Sequence, residues 1–251
     1  MTPMSNIMTD FEKRVLADGR AVLFRGDSLA MLQAGLLPKW DALVSDPPYG
    51  IGFQHGGGGN AAIKSRTDRI IGDDKPFDPT PWLEAATRSR KGALADKAVV
   101  LWGAGHYKTR LPEGGRFICW DKSCGKGPAV SFVDAEFAWT NRRNPRCIVR
   151  HVWMGAMRAH DGFDGKTVSR HHVSQKPVSV MAWCLKNARI GVDEWVLDPY
   201  MGSGSTGVAC LLTGRRFIGV EIDPAHFEVA CQRIEKAWQK VQAGEILDVA
   251  V

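Results

Sequence analysis

Several features that would assign the chain to other protein classes are missing from its 251 residues. The six cysteines form no C-x-x-C pair, and the opening stretch MTPMSNIMTDFEKRV lacks the long apolar core of a secretory signal peptide. No apolar run approaches the roughly 20 residues that a membrane helix needs. These absences favour a cytoplasmic protein with free thiols, and they exclude a disulfide scaffold or a membrane-spanning protein.

A metal site is not indicated either. His151, His160, His171 and His172 lie near Cys147 in the sequence, but their spacing matches no zinc-finger pattern. The net charge of +6 is compatible with an anionic partner, although a basic soluble protein without such a partner could carry the same charge.

Strand-like and helix-like patterns alternate at both ends of the chain. The C-terminal block predicts strands at EWVLDPY and RFIGVEID, with a helix at STGVACLLTG between them. An amphipathic helix then begins at Pro224, with Phe227, Ala230, Cys231 and Ile234 on one face. The N-terminal block predicts strand RAVLFRGD, helix SLAMLQAG and strand DALVSDPPY, and further strands follow at KAVVLWG, GRFICWD and AEFAWT. This alternation predicts an α/β fold with a doubly wound, mostly parallel sheet covered on both faces.

Two irregular segments interrupt the pattern. Residues 50–80 are rich in glycine and polar side chains, as expected of a variable loop near a functional site. Residues 141–172 are strongly basic and contain aromatic side chains. We therefore expect one domain over residues 1–251, with these two segments as its variable parts.

A glycine-rich loop suggests a nucleotide-like cofactor. Gly202, Gly204 and Gly207 form a G-x-G-x-x-G pattern between a strand and a helix, and Glu221 ends the next strand. A dinucleotide would place its pyrophosphate at this helix terminus, where Asp198 would repel it. The same carboxylate suits the amino group and sulfonium of S-adenosylmethionine, and Glu221 can accept hydrogen bonds from both ribose hydroxyls. S-adenosylmethionine is favoured; the weaker alternatives are a dinucleotide oxidoreductase and a structural turn that binds no ligand.

Three motifs in order resemble the amino-methylating DNA methyltransferases. They are DPPY, HVSQKPVSVMAW and VLDPYMGSGSTGVAC followed by RFIGVEID, and their order is similar to the β arrangement of that family. The resemblance extends from about Val22 to Ile234, with Tyr200 where phenylalanine is usual and Ser205 where threonine is usual. It implies methyl transfer from S-adenosylmethionine to an exocyclic amine in double-stranded DNA. It favours adenine, since members acting on cytosine more often have serine in place of Asp46.

The DPPY motif can also be interpreted chemically. An exocyclic amine is a poor nucleophile because its lone pair is delocalised into the ring, and acceptors on its N–H groups localise that pair. The Asp46 carboxylate and the Pro47 carbonyl can supply them, with Pro47 and Pro48 restricting the backbone. Tyr49 offers a face on which a base can stack after it flips out of the duplex. An ordinary proline turn is the structural alternative.

The resemblance assigns further residues to the cofactor. Asp27 would contact the adenine ring, although an N-cap role explains it almost equally well. Lys176 of QKP would help to close the site, the alternative being a solvated lysine. The full predicted cofactor set is Asp27, Lys176, Asp198, Pro199, Tyr200, Gly202, Ser203, Gly204, Ser205, Thr206, Glu221 and Ile222.

The motif order implies a circular permutation. In a doubly wound sheet the first and fourth strands are adjacent at the ligand-binding switch point. If EWVLDPY is the first strand and DALVSDPPY the fourth, methyl donor and flipped base meet there, and RAVLFRGD becomes the third strand.

The basic segment is the predicted DNA-binding and target-recognition region. Its candidate phosphate contacts are Arg142, Arg143, Arg146, Arg150, Arg158 and Arg170, with the loop at 56–64 as the alternative surface. A catalytically silent nucleic-acid-binding module with the same fold is a further alternative. No membrane partner is expected, and a homodimer is left open.

Overall fold

The computed structural model describes residues 11–52, 70–87, 97–125, 134–154, 157–159 and 175–245. The strands in these residues are β1 (Glu12–Leu16), β2 (Ala21–Arg25), β3 (Ala42–Ser45), β4 (Ala98–Trp102), β5 (Arg116–Asp121), β6 (Ala135–Thr140), β7 (Ile148–Arg150), β8 (Trp153–Met154), β9 (Met157–Arg158), β10 (Trp195–Asp198) and β11 (Arg216–Glu221). The α-helices are α1 (Ser28–Gln33), α2 (Thr80–Ala86), α3 (Val178–Asn187), α4 (Ser205–Leu212) and α5 (Pro224–Gln242).

The main sheet has the order β1-β2-β11-β10-β3-β4-β6-β5-β7. Its central strands β2, β11, β10, β3 and β4 are parallel to one another. Strand β10 therefore lies between β11 and β3, the arrangement expected if EWVLDPY is the first strand and DALVSDPPY the fourth. The predicted doubly wound α/β fold with a permuted motif order is confirmed.

Alternate side chains of the central strands enter two separate cores. Val44 and Val196 pack in the cluster that contains residues of α3, α4 and α5. Leu43 and Leu197 point to the opposite face, where they pack with Met31 of α1 and Trp82 of α2. A parallel strand buried on both faces needs apolar residues at consecutive positions, which explains the unbroken apolar runs in these strands.

The amphipathic helix α5 has the predicted orientation. Phe227, Ala230, Cys231 and Ile234 are all buried. Asp223 caps the helix, because its Oδ1 accepts hydrogen bonds from the backbone N–H groups of Ala225 and His226.

Besides the separate two-stranded sheet of β8 and β9, three elements are additions to the expected pattern. Strand β1 is an antiparallel edge strand whose half-buried positions include the charged Glu12 and Arg14 while the apolar Val15 is exposed, so it lacks an apolar signal. Helix α2 directly follows the predicted variable loop. Strand β7 lies inside the basic segment 141–172 and pairs in parallel with β5, so part of that segment belongs to the sheet.

Candidate active site

Asp46 lies directly after β3, at the carboxyl end of the parallel strands. Its Oδ1 accepts a hydrogen bond from the Tyr49 hydroxyl at 2.5 Å, and its Oδ2 accepts one from Lys176 Nζ at 2.6 Å. Pro47 is buried, and Pro48 and Tyr49 are half-buried. The four residues of DPPY thus form a short loop in which the carboxylate is held at both oxygens.

The Tyr49 ring is held by the turn that follows β4. It stacks on His106 with the ring centroids 5.0 Å apart and the planes inclined by 14°. A Cβ atom added to Gly103, which has φ +74°, would lie 2.0 Å from Tyr49 Cε1. Only glycine allows the backbone to approach the ring this closely.

The end of the DPPY loop is fixed by a buried carboxylate. Asp73 Oδ1 accepts hydrogen bonds from the backbone N–H of Gly50 at 2.7 Å and of Ile51 at 3.3 Å. Gly50 has φ +75°, and an added Cβ there would lie 2.3 Å from the carbonyl oxygen of Lys75. The loop is therefore tied to the segment that precedes α2.

Glu136 and Lys122, which the sequence analysis did not single out, extend the charged network that begins at Asp46 and Lys176. Glu136 Oε2 lies 3.0 Å from Lys176 Nζ, and Glu136 is also paired with Lys122. Burial opposes ionisation of Glu136, but Lys176 and Lys122 outweigh it and lower its pKa to about 2. Lys176 is almost fully buried; burial opposes its charge, yet Asp46 and Glu136 raise its pKa. Lys176 is thus a buried cation shared by two carboxylates.

Asp198 joins the glycine loop to the Asp46 side of the site. Its Oδ1 accepts from Ser45 Oγ at 2.6 Å and from the backbone N–H of Tyr200 at 3.1 Å, and its Oδ2 accepts from Thr206 Oγ1 at 2.6 Å. Burial raises its pKa to about 6, although these donors act in the opposite direction. The carboxylate therefore connects β10, β3 and α4.

Glu221 holds the other side of the glycine loop. Its Oε2 accepts from the backbone N–H of Gly202 at 2.9 Å and its Oε1 from that of Asp223 at 2.8 Å. Burial raises its pKa to about 7. Each carboxylate oxygen can accept a second hydrogen bond, so the group retains capacity for a ligand. The neighbouring Ile222 side chain is exposed.

Tyr200 and Asp27 lie around the start of α1. The Tyr200 hydroxyl accepts a hydrogen bond from Trp82 Nε1 at 3.2 Å, and its ring meets Phe77 edge to face. Asp27 caps α1, with Oδ1 accepting from the backbone N–H of Leu29 and Ala30. Asp27 is therefore an N-cap, and its contact with the adenine of the cofactor stays a prediction.

A cavity connects the two halves of the site. Its lining residues are Asp46, Gln175, Lys176, Met181, Asp198, Tyr200, Met201, Gly202, Ser203, Ser205 and Thr206. Pro199 and Gly204 belong to the same loop, and Gly204 is the N-cap of α4 with φ +80°. The structure thus brings DPPY, QKP and the glycine loop together around one space with two carboxylates.

The predicted DNA-contacting arginines are not brought together. Arg142 Nε donates to the carbonyl oxygen of Ala188 at the end of α3, and the backbone of Arg146 bonds the side chain of Asn187. These residues and the exposed Arg143 follow β6 at the amino end of β4, away from Asp46.

Strand β7 then runs along β5 to the opposite end of the sheet. Arg150 lies there, 66% exposed, with Nε 3.5 Å from Asp121 Oδ2. Arg158 is part of β9, and Arg170 lies outside the described residues.

Comparisons with known proteins agree with these motifs. A family described as DNA methylase matches residues 147–232. The type II methyltransferase M2.LlaDCHI of Lactococcus lactis subsp. cremoris is 30% identical, over 86% of this chain and 90% of that protein. The chain belongs to the DNA methylase family. The methylase is also 26% identical to the putative methylase YubD of Escherichia coli K12, over 83% of this chain and 87% of that one.

Solved structures support the fold of this methylase. M1.HpyAVI in complex with SAM covers 84% of the chain with a TM-score of 0.51 and 21% identity. The cytosine-N4-specific PvuII DNA methyltransferase covers 92% with a TM-score of 0.50 and 13% identity. At these identities the likeness concerns the fold.

No helix in the described part of the methylase is both long enough and apolar enough to cross a membrane.

Proposed function

We propose that the chain transfers a methyl group from S-adenosylmethionine to the exocyclic amine of a base in double-stranded DNA, with adenine as the favoured base. One observation carries the proposal: the doubly held Asp46 carboxylate opens into the cavity of the glycine loop. A methyl donor in that cavity would adjoin an amine held at Asp46.

The residues of the cavity fit this cofactor. Asp46 and Asp198 contribute negative charge, and the lysine that lines the cavity is already paired with carboxylates. Such a site disfavours a pyrophosphate and favours a ligand with cationic groups. Because Asp198 is held by three protein donors, its part is to fix the loop and supply negative potential. Glu221 has acceptor capacity left for ribose hydroxyls.

The chain's own residues prepare the amine. S-adenosylmethionine, when bound, supplies a methyl group on a sulfonium leaving group. The Asp46 carboxylate and the Pro47 carbonyl accept hydrogen bonds from the two N–H groups of the amine. These bonds localise the nitrogen lone pair. Methyl transfer would form an N–C bond and break the S–C bond of the donor, and the Asp46 carboxylate would accept the proton that the nitrogen then loses. Tyr49 provides the stacking surface for the flipped base.

The placement of Tyr49 adds a geometric condition to base capture. His106 and Gly103 contact the ring, so the base must use the remaining surface or displace His106. Since the hydroxyl bonds Asp46, capture of the base and alignment of the carboxylate are coupled.

DNA would approach the carboxyl end of the sheet. Arg150 is the predicted phosphate contact whose position at this end suits that approach. The assignment of residues 141–172 to target recognition remains a proposal. In this proposal, β7 anchors part of the segment to the main sheet.

The test is transfer of labelled methyl from S-adenosylmethionine to duplex DNA, followed by digestion and identification of the nucleoside. Label on the N6 of adenine is expected. Label on the N4 of cytosine would correct the base but not the chemistry, whereas absence of label from all DNA substrates would contradict the proposal. Calorimetry should show S-adenosylmethionine binding and no comparable binding of NAD.

A further inference from the structure

Glu136 lies on β6, outside all the motifs, yet its carboxylate is part of the environment of Asp46. It is opposite Trp120 of β5, and only a quarter of its side-chain surface is exposed. Its Oε2 lies 3.0 Å from Lys176 Nζ, and Lys122 from the end of β5 pairs with its other oxygen. A largely buried carboxylate needs cationic partners. A purely structural role, however, would not require that one of these partners, Lys176, also binds Asp46.

Lys176 is held from several directions. Its Nζ is 2.6 Å from Asp46 Oδ2 and 5.8 Å from the ring centroids of both Tyr49 and Trp102. A lysine side chain has many rotamers, and a single carboxylate partner leaves much of that freedom. Glu136 supplies the second partner, so the ammonium group is fixed between β6 and the DPPY loop.

The consequence for Asp46 follows from hydrogen-bond geometry. Tyr49 holds one carboxylate oxygen and Lys176 the other, so movement of the ammonium would rotate the carboxylate. Charge acts in the same network: burial raises the pKa of Asp46, Lys176 opposes this by favouring the ionised carboxylate, and Glu136 adds to it by disfavouring that form. Asp198 on β10 and Tyr107 after β4 also interact electrostatically with Asp46.

We infer that Glu136 is a positioning residue: it sets the orientation of Asp46 through the ammonium group that both carboxylates share, and its own negative charge influences the charge state of Asp46. The inference rests on the proposed function, because Asp46 is taken there as the group that receives the amine.

The first experiment measures Asp46 directly and does not depend on activity. The carboxyl carbons of aspartate are labelled with 13C, the Asp46 signal is assigned with Asp46→Asn, and its titration is followed by NMR. In Glu136→Gln the amide oxygen can still accept from Lys176, but the negative charge is gone, so the midpoint should move to lower pH. In Lys176→Met it should move to higher pH.

Glu84→Gln is the matched control, because Glu84 is exposed on α2. A midpoint in Glu136→Gln equal to that of Glu84→Gln would overturn the inference. If Glu136→Gln does not fold, Glu136→Asp serves instead. Glu136→Asp keeps the negative charge, but its side chain is shorter by one methylene group and the charge lies farther from Lys176. The Asp46 midpoint should again move to lower pH, by a smaller amount.

The second experiment tests whether Glu136 acts through Lys176. Glu136→Gln should lower kcat on the order of tenfold, a typical coupling within one charged network, with the KM for DNA unchanged. In the Lys176→Met background the same substitution should cause no further loss. Equal losses in both backgrounds would contradict the inference. A wild-type protein that transfers no methyl would refute the proposed function instead, and the NMR titration would still decide the role of Glu136.

Discussion

The two ends of the parallel sheet differ in how they hold charge. At the carboxyl end, Asp46, Lys176, Glu136 and Asp198 are largely buried and bonded to one another or to neighbouring hydroxyls. At the amino end, charged groups such as Arg142 bond backbone carbonyls or lie at the surface. Buried charges with specific partners are typical of functional sites, because burial and pairing together shift ionisation.

This difference shows that the basic residues of segment 141–172 do not share one surface, although they are close in sequence. Arg146 and Arg150 are separated by only four positions, but Arg150 is the last residue of β7, which runs towards the carboxyl end of the parallel strands. Arg150 is therefore the arginine of this pair whose position suits DNA bound over Asp46.

The largest expected effect comes from Asp46, the carboxylate at the carboxyl end of the sheet on which the proposed mechanism depends. Asp46→Ala should reduce turnover by about a hundred- to thousandfold, the usual loss when one preorganised polar contact is removed from a site that stabilises developing charge. Asp46→Asn keeps one acceptor oxygen and should lose less. Methyl-transfer rates and DNA affinities measured side by side check this, and near-normal transfer by Asp46→Ala would remove Asp46 from the mechanism.

A smaller loss is expected where the backbone contacts Tyr49. Gly103→Ala would place a methyl group against the ring at a residue with φ +74° and should force Tyr49 away from its place. Since base stacking is worth roughly 1–3 kcal/mol, DNA-dependent turnover should fall about tenfold or more. Gly105→Ala is the control, because an added Cβ there meets no atom within 4 Å. Equal activity of the two variants would show that the Tyr49 position is unimportant.

The third prediction concerns pH. The pKa values of Asp198 (about 6) and Glu221 (about 7) lie above their ordinary values. A raised pKa in an acid stabilises the folded protein at low pH, and that contribution is lost as pH rises through the folded value. Their part of the unfolding free energy should therefore increase from about pH 8 to about pH 5, where proton uptake by the folded state precedes that of the unfolded state.

Cofactor affinity should change in the opposite direction, because the proposed site needs both carboxylates ionised. Glu136 does not oppose this trend, since its pKa of about 2 keeps it charged over the whole range. Thermal unfolding tests the change in stability with pH, and calorimetry tests the change in cofactor affinity over the same pH range. Glu221→Gln should make both quantities less dependent on pH. Affinity that rises as pH falls would contradict the assignment of these carboxylates to the cofactor.

The smallest expected effect is on the salt dependence of DNA binding, and it should differ between Arg150 at the carboxyl end of the sheet and Arg142 at the amino end. Arg150→Ala should reduce the dependence of log K on log salt by about one unit, as for one lost phosphate contact. Arg142→Ala should leave that slope unchanged, because its side chain bonds Ala188 at the other end of the sheet. The reverse result would place DNA at the amino end.

Much of the fold could be predicted from local patterns. The strands Ala42–Ser45 and Trp195–Asp198 contain short apolar runs, with an acid just after the first strand and at the end of the second. The motif order was enough to predict that the two strands are adjacent. Asp46, Lys176 and Asp198 could be selected because each belongs to a recognisable motif, and the structure places all three around one cavity.

The remaining features depend on contacts between elements that leave no local signal. Glu136 reaches Lys176 only because β6 pairs antiparallel between β4 and β5. Gly103 matters through its distance from Tyr49, and one glycine after a strand is indistinguishable in sequence from an ordinary turn. The grouping of six arginines failed to anticipate β7, since three residues are too few to show strand periodicity.

The position of β10 between β11 and β3 also has a consequence for synthesis on the ribosome. Strand β3 ends at Ser45, and its neighbour begins only at Trp195, so one of its edges lacks its partner while the intervening residues are made. At about 5–20 residues per second this delay lasts roughly 8–30 s. A nascent chain arrested before Trp195 should therefore remain sensitive to protease within β2 and β3. Completion of the sheet therefore waits until β10 and β11 have been made, long after β3.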